Sequence, residues 1–267
     1  MEIQKRLSIL GCGWLGKALA KNLVEKGWEL KGSVTSPSKM NELKEVGINP
    51  FVIDIGQRDY ELTPFLDSEV LLMALPPQEL DDYQRLIDNL EKTGLKKVLF
   101  ISSTSVYIDS NNELNEEAPV NEGRLALAEA LFTNNPNFKC TVLRFGGLFG
   151  YKRKPGNFFA EGRIIPNPEG VVNLIHRDDC IGIITALLEQ EVWGEIFNAC
   201  APSHPTRREF YTREQTKLGR PAPVFSTVNP ATGKRINPQK LITRINYRFK
   251  YPDLMTYDES LESDKNR

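Results

Sequence analysis

Six residues near the start of the chain have the spacing of a phosphate-binding turn: Gly11-Cys12-Gly13-Trp14-Leu15-Gly16. They follow the apolar run Arg6-Leu7-Ser8-Ile9-Leu10 and precede a helical pattern over Lys17 to Lys26, in which Leu15, Leu19, Leu23 and Val24 share one side. Strand, G-x-G-x-x-G and helix in that order are the context in which the motif carries chemistry. Gly11 permits the tight turn out of the strand, Gly13 lets the backbone approach a pyrophosphate with no Cβ in the way, and Gly16 lets the helix pack close on the strand. The helix N-terminus then offers backbone N–H groups and a partial positive charge to an anion. Gly11, Gly13, Trp14, Leu15 and Gly16 are therefore expected to hold the phosphates of a dinucleotide.

The second strand decides which dinucleotide. An NAD site needs an acid near the end of that strand to hold the ribose 2′-hydroxyl. Between Leu30 and Asn41 there is no acid, and Ser33, Thr35, Ser36, Ser38 and Lys39 stand there instead. Hydroxyls beside a cation suit a 2′-phosphate, so Ser36 and Lys39 point to NADP, with NAD as the alternative. Ser36-Pro37-Ser38 also reads as plain turn chemistry. Asp54, ending the third strand, is placed to accept from an adenine amino group or to serve as a turn residue. Ala74-Leu75-Pro76-Pro77 closes the fourth strand, at the carboxyl end where open α/β sheets bind ligands. Ala74, Leu75 and Pro76 are expected against a cofactor ribose.

These residues need a scaffold of alternating strands and helices. Strands are expected near 28–35, 49–55, 69–75, 97–102 and 140–145, with helices near 39–46, 80–93 and 120–132; the connection from 56 to 68 reads as polar. This alternation predicts an α/β fold, a Rossmann-type doubly wound parallel sheet. From Gly146 the texture becomes rich in Gly and Pro. Residues 1–150 are expected to form the nucleotide-binding domain. Residues 151–267 are expected to be mainly a small C-terminal substrate-binding region, with 171–200 returning to the first domain. Asp178 or Asp179 is expected to cap a helix through Leu188, and Thr206 one to about Leu218. The charged tail after Tyr257 is expected to fray.

Composition excludes several classes. The 267 residues carry a net charge of -1, which gives no basic field for nucleic acid. Cys12, Cys140, Cys180 and Cys200 are far apart, and with two histidines no metal-ligand spacing exists. No apolar run approaches the ~20 residues of a membrane span. No signal-like segment is seen at the start. The expectation is a soluble cytoplasmic protein, monomer or homodimer, acting on a small molecule without metal, membrane or nucleic acid.

Ser102-Ser103-Thr104-Ser105-Val106-Tyr107 follows the fifth strand. With the glycine loop it resembles the extended short-chain dehydrogenase/reductase superfamily, the NAD-dependent epimerase/dehydratase group. Three later stretches also resemble that group: Leu143-Arg144-Phe145-Gly146-Gly147-Leu148-Phe149-Gly150, Asn173-Leu174-Ile175-His176-Arg177-Asp178-Asp179 and Gly194-Glu195-Ile196-Phe197-Asn198. Pro76-Pro77 and Gly233-Lys234-Arg235-Ile236-Asn237 are similar to an atypical, YeeZ-like branch. The resemblance implies an oxidoreductase or epimerase in which Ser102 borders the cofactor and Ser103 holds the substrate oxygen.

The same resemblance implies a tyrosine that moves the proton and a lysine four residues on, both on one helix face. Registering the helix on Ala128-Glu129 puts Asn121 and Leu125 at those positions. No lysine lies between Val98 and Phe138, and Tyr107 is the one tyrosine there. A carbonyl reduction needs a proton donor in reach, so Tyr107 is a candidate substitute, and Glu122 and Arg124 are further candidates. The missing pair leaves open a non-catalytic NADP(H) sensor. His176 reads as structural, and Tyr151-Lys152-Arg153-Lys154 as a solvated loop or an anion-binding edge.

Overall fold

The computed structural model describes residues 5–159, 162–228 and 233–262. In chain order its elements are β1 (Arg6–Leu10), α1 (Trp14–Glu25), β2 (Glu29–Val34), α2 (Met40–Lys44), β3 (Asn49–Val52), β4 (Val70–Met73), α3 (Leu80–Leu90), β5 (Lys97–Ser103) and β6 (Glu113–Leu114). There follow α4 (Arg124–Thr133), β7 (Lys139–Phe145), β8 (Gly147–Phe149), β9 (Leu174–His176), α5 (Arg177–Glu189), β10 (Ile196–Ala199), α6 (Arg207–Lys217), β11 (Arg235–Ile236) and α7 (Gln239–Ile245). Seven strands form one sheet in the order β10-β7-β5-β4-β1-β2-β3, and the pairings from β3 across to β5 are parallel. The order reverses between β1 and β4. That is the switch point of a doubly wound sheet, where the crevice at the carboxyl ends of the strands receives ligands. The α/β Rossmann architecture read from the sequence is the one observed.

The chain forms two units. The first contains the described residues of Met1–Val106, Val120–Arg144 and Ile181–Phe197; the second contains those of Tyr107–Pro119, Phe145–Cys180 and Asn198–Arg267.

In the first unit β4 is buried at every residue, as a strand covered on both faces must be. Tyr83, Leu86, Ile87 and Leu90 give α3 its buried face at helical spacing. Tyr83, Phe100 and Phe132 stack with ring centroids 5.2 to 6.0 Å apart, and burying each such ring contributes about 1.5–3 kcal/mol. The connection from β3 to β4, read as polar, in fact buries Leu62, Phe65 and Leu66, and the Phe65 carbonyl accepts from the buried Ser8 hydroxyl at 2.6 Å. Helix α4 starts at Arg124, later than the expected 120, because Gly123 takes the extended N-cap conformation. Phe132 is core, and Leu125 and Leu131 pack against it.

The second unit has its own apolar cluster, including Phe149, Ile165, Leu174, Phe210, Tyr251, Leu254 and Tyr257. It also holds two small parallel sheets, β6 with β11 and β8 with β9. Thr206 caps α6 through a full capping box with Glu209. Of the tail expected to fray, Asp258 to Glu262 are described and Glu262 is buried; residues 263–267 lie outside the described residues.

Candidate functional site

The glycine loop is shaped by close backbone approach. Gly11 has φ +99°, and a Cβ there would lie 2.6 Å from the Ala74 carbonyl oxygen. Ala74 in turn donates its N–H to Leu10 O at 2.8 Å, so the exits of β1 and β4 are stitched together at the switch point. A Cβ on Gly16 would lie 2.4 Å from Gly11 O, which lets α1 sit directly on the turn. Gly13 differs: a methyl group there would meet no heavy atom within 4 Å. It is also the N-cap of α1 and has no side-chain cap, so the helix start faces open space. Two glycines are required by the fold, and the third keeps open a cradle in front of a helix N-terminus. That geometry fits a pyrophosphate.

Ser33, at the end of β2, is buried and its hydroxyl accepts from Gly11 N at 2.9 Å. It braces the loop and does not face a 2′-phosphate, which corrects its grouping with the other hydroxyls of this stretch. Ser36 and Ser38 share a hydrogen bond of 2.8 Å at the rim, and Lys39 is exposed beside them. Lys17 of α1 pairs with Glu42 of α2 at 2.7 Å. Asp54 is half-buried past β3 and accepts from Gly56 N at 3.1 Å, so it makes a turn and keeps its second carboxylate oxygen for other partners. Ala74 and Leu75 are half-buried and Pro76 is exposed at the exit of β4. Cys12, inside the loop, is a buried thiol; burial pushes its pKa up to about 12, which removes it as a nucleophile.

At the exit of β5 the two serines diverge. Ser102 is buried and donates to Glu129 Oε1 on α4. Arg144 of β7 clamps the same carboxylate, with Nε at 3.1 Å and Nη2 at 2.6 Å from Oε2. The Ser102 side chain therefore belongs to a buried Ser–Glu–Arg network. Sequence reading missed Glu129 and Arg144 as a pair, although each is the lone charge in an apolar run, Leu125–Phe132 and Cys140–Phe145. Ser103 is half-buried; its Oγ accepts from Ser105 N at 3.1 Å, an arrangement that retains the hydroxyl proton for donation.

The residues set at the missing proton-transfer pair have other tasks. Asn121 precedes α4, donates to Ser105 O at 3.0 Å and accepts from Gly123 N at 2.8 Å. Leu125 packs on the apolar core. Glu122 is exposed, and Arg124 pairs with Glu79. In the second unit Tyr107 is 2% exposed and its hydroxyl donates to Asn198 Oδ1 at 2.7 Å. Asn198 is itself buried and donates to Leu114 O and Asn237 O, so Tyr107 anchors β6 and the segment after β11.

Also in the second unit, His176 is enclosed by Phe149, Tyr151, Tyr251 and Tyr257. Its Nδ1 accepts from Asp178 N at 3.1 Å, so Nε2 carries the proton toward Glu262 Oε1 at 3.1 Å. Burial lowers its pKa, the Glu262 hydrogen bond opposes this, and the net shift is downward. The basic run is divided: the Tyr151 hydroxyl is bonded to Asp178, Lys154 to Glu259, and Lys152 and Arg153 are exposed. Phe158 and Phe159 pack against the second core. Among the described residues no group of three His, Cys, Asp or Glu is placed to hold a metal, and no helix is long and apolar enough to cross a membrane.

The fold and the glycine loop define a Rossmann-type α/β protein. Residues 6–105 match the family model described as NADP oxidoreductase coenzyme F420-dependent. Among solved structures, the chain is similar to UDP-glucuronic acid 4-epimerase from Bacillus cereus in complex with NAD. The TM-score is 0.74 at 17% identity, over 94% of this chain and 95% of that one. It is also similar to the human epimerase family protein SDR39U1 with NADPH, at TM-score 0.71 and 18% identity over 96% and 98% of the two chains. Protein YeeZ of Escherichia coli strain K12 is 33% identical over 93% of this chain and 97% of its own length. The chain belongs to the YeeZ family.

Proposed function

We propose that this protein binds NADP(H) in the crevice between β1 and β4 and is an oxidoreductase of the epimerase/dehydratase type. The observation that carries the reading is the open cradle at Gly13, in front of an uncapped helix start, next to two glycines that the backbone requires. Gly11 to Gly16 hold the pyrophosphate, Ser36 and Lys39 face the adenosine 2′-phosphate, Asp54 meets the adenine, and Ala74 to Pro76 line the ribose. The likeness to structures holding NAD and NADPH supports a dinucleotide of either kind; the lack of an acid at the end of β2 favours NADP.

Ser103 orients the substrate by donating to its carbonyl or hydroxyl oxygen; when bound, the nicotinamide supplies hydride transfer. Substrates of this class are small carbonyl or hydroxyl compounds, nucleotide sugars among them. With Tyr107 buried on Asn198, and Asn121 and Leu125 where the proton-transfer pair would stand, the Ser103 hydroxyl is the group at the β5 exit suited to hold the substrate oxygen by a hydrogen bond.

The test is calorimetric titration of the purified protein with NADPH and NADH. Saturable binding of NADPH, lost in Gly13→Val, is the expected result. No heat with either dinucleotide would overturn the proposal.

A further inference from the structure

The rim where the 2′-phosphate is expected already contains an anion. Lys17 projects from the first turns of α1, its N–H bonded to Gly13 O at 2.9 Å, and its ammonium lies 2.7 Å from Glu42 Oε2. Both side chains are about half exposed. Lys39 stands three residues before Glu42, at the start of α2. The hydrogen bond and charge of Lys17, with a smaller contribution from the charge of Lys39, hold the Glu42 carboxyl below the ordinary range. Glu42 thus pairs directly with Lys17 and lies a few residues beyond the Ser36–Ser38 hydroxyl pair and Lys39 along the chain.

We propose that Glu42 is a specificity-determining residue: its carboxylate engages Lys17 in the free protein and yields it to the 2′-phosphate of NADP(H). The ion pair then sets how strongly the protein distinguishes NADPH from NADH. This rests on the dinucleotide reading above and adds to it a residue that opposes the bound phosphate. A half-exposed ion pair is a weak interaction, so it can be exchanged for a phosphate at little cost. Glu42 nonetheless leaves a negative charge close to a doubly negative group. Lys17 and Lys39 supply the attraction and Glu42 limits it.

The experiment titrates the full chain with NADPH and NADH, and with 2′,5′-ADP and 5′-AMP as fragments that isolate the phosphate. Removing one charge several ångströms from a doubly charged phosphate near water changes affinity by about five- to tenfold. Glu42→Gln is expected to tighten NADPH and 2′,5′-ADP by that factor and to leave NADH and 5′-AMP within about twofold. Lys17→Met and Lys39→Met are expected to weaken the phosphorylated ligands by a similar factor without affecting the others. Raising the salt concentration to about 1 M should shrink both effects, because screening then acts within about 3 Å. If the wild-type protein binds neither dinucleotide, the dinucleotide reading fails and this inference with it. If it binds them but Glu42→Gln leaves the NADPH-to-NADH ratio unchanged, the inference alone fails.

Discussion

The backbone N–H of Gly11 donates to the Ser33 hydroxyl across 2.9 Å, and this bond joins the turn after β1 to the end of β2. Ser33 is buried, so replacing it with alanine leaves the Gly11 N–H without its side-chain acceptor. Ser33→Ala should lower stability by about 1–3 kcal/mol in urea unfolding and weaken dinucleotide binding in proportion to the loop's loss of order.

The three glycines separate fold from binding. Gly11→Ala combines a φ of +99° with a contact to Ala74 O of 2.6 Å, and should lower both the melting temperature and binding. Gly13 has φ -79° and open space around it, so Gly13→Ala should cost only the about 0.5–1 kcal/mol by which glycine exceeds alanine as an N-cap, less than Gly11→Ala, while reducing dinucleotide affinity. Differential scanning calorimetry paired with titration distinguishes the two. Equal losses of stability would show that Gly13 serves packing instead.

Ser103 and Tyr107 should divide in the same manner. Tyr107→Phe removes the donor to buried Asn198 Oδ1 and should cost about 1–3 kcal/mol of stability while leaving NADPH affinity unchanged. Ser103→Ala should stay within about 0.5 kcal/mol of wild type in stability. Any hydride transfer to a substrate should fall in Ser103→Ala, followed by NADPH absorbance.

The Glu129–Arg144 pair is buried on both sides, with side chains 4% and 5% exposed. Breaking it by Arg144→Met should cost about 3–5 kcal/mol, because a buried carboxylate is left facing Ser102 alone. The double variant Glu129→Leu with Arg144→Met should recover much of that loss, read as the midpoint of urea unfolding.

Acid should act through Glu262 and His176. Burial works to raise the Glu262 pKa, but hydrogen bonds from Tyr151 N, the Tyr257 hydroxyl and His176 outweigh it, so the folded value lies below the ordinary 4.5. The His176 value lies below the ordinary 6.5, chiefly through burial. Both depressed values mean that the unfolded chain binds more protons, so their stabilisation is present above 6.5 and is lost as pH falls. The His176 contribution declines below 6.5 and that of Glu262 below 4.5. Melting temperatures measured from pH 7 to pH 4 should fall, and Glu262→Gln should flatten the lower part of that curve.

Much of this molecule follows from local pattern. Apolar runs of four to seven residues between polar helices specify a covered parallel sheet, and the G-x-G-x-x-G turn specifies what its first connection can bind. Thr206 announced the start of α6 because an N-cap is read from the residue type just before a helix. The lack of an acid after β2 and of a lysine between Val98 and Phe138 are also plain in the chain. What sequence could not supply were partners distant along it. Ser33 looked like a rim hydroxyl until Gly11, 22 residues earlier, occupied it. Tyr107 looked like a proton donor until Asn198, 91 residues later, closed over its hydroxyl. Ser102, Glu129 and Arg144 became one network only when β5, α4 and β7 packed together. Hydrogen bonds and ion pairs form between groups that folding brings within about 3 Å, whatever their separation in sequence. The chain alone therefore determined the architecture and the phosphate turn, and tertiary packing decided which polar side chains face a ligand and which hold the fold.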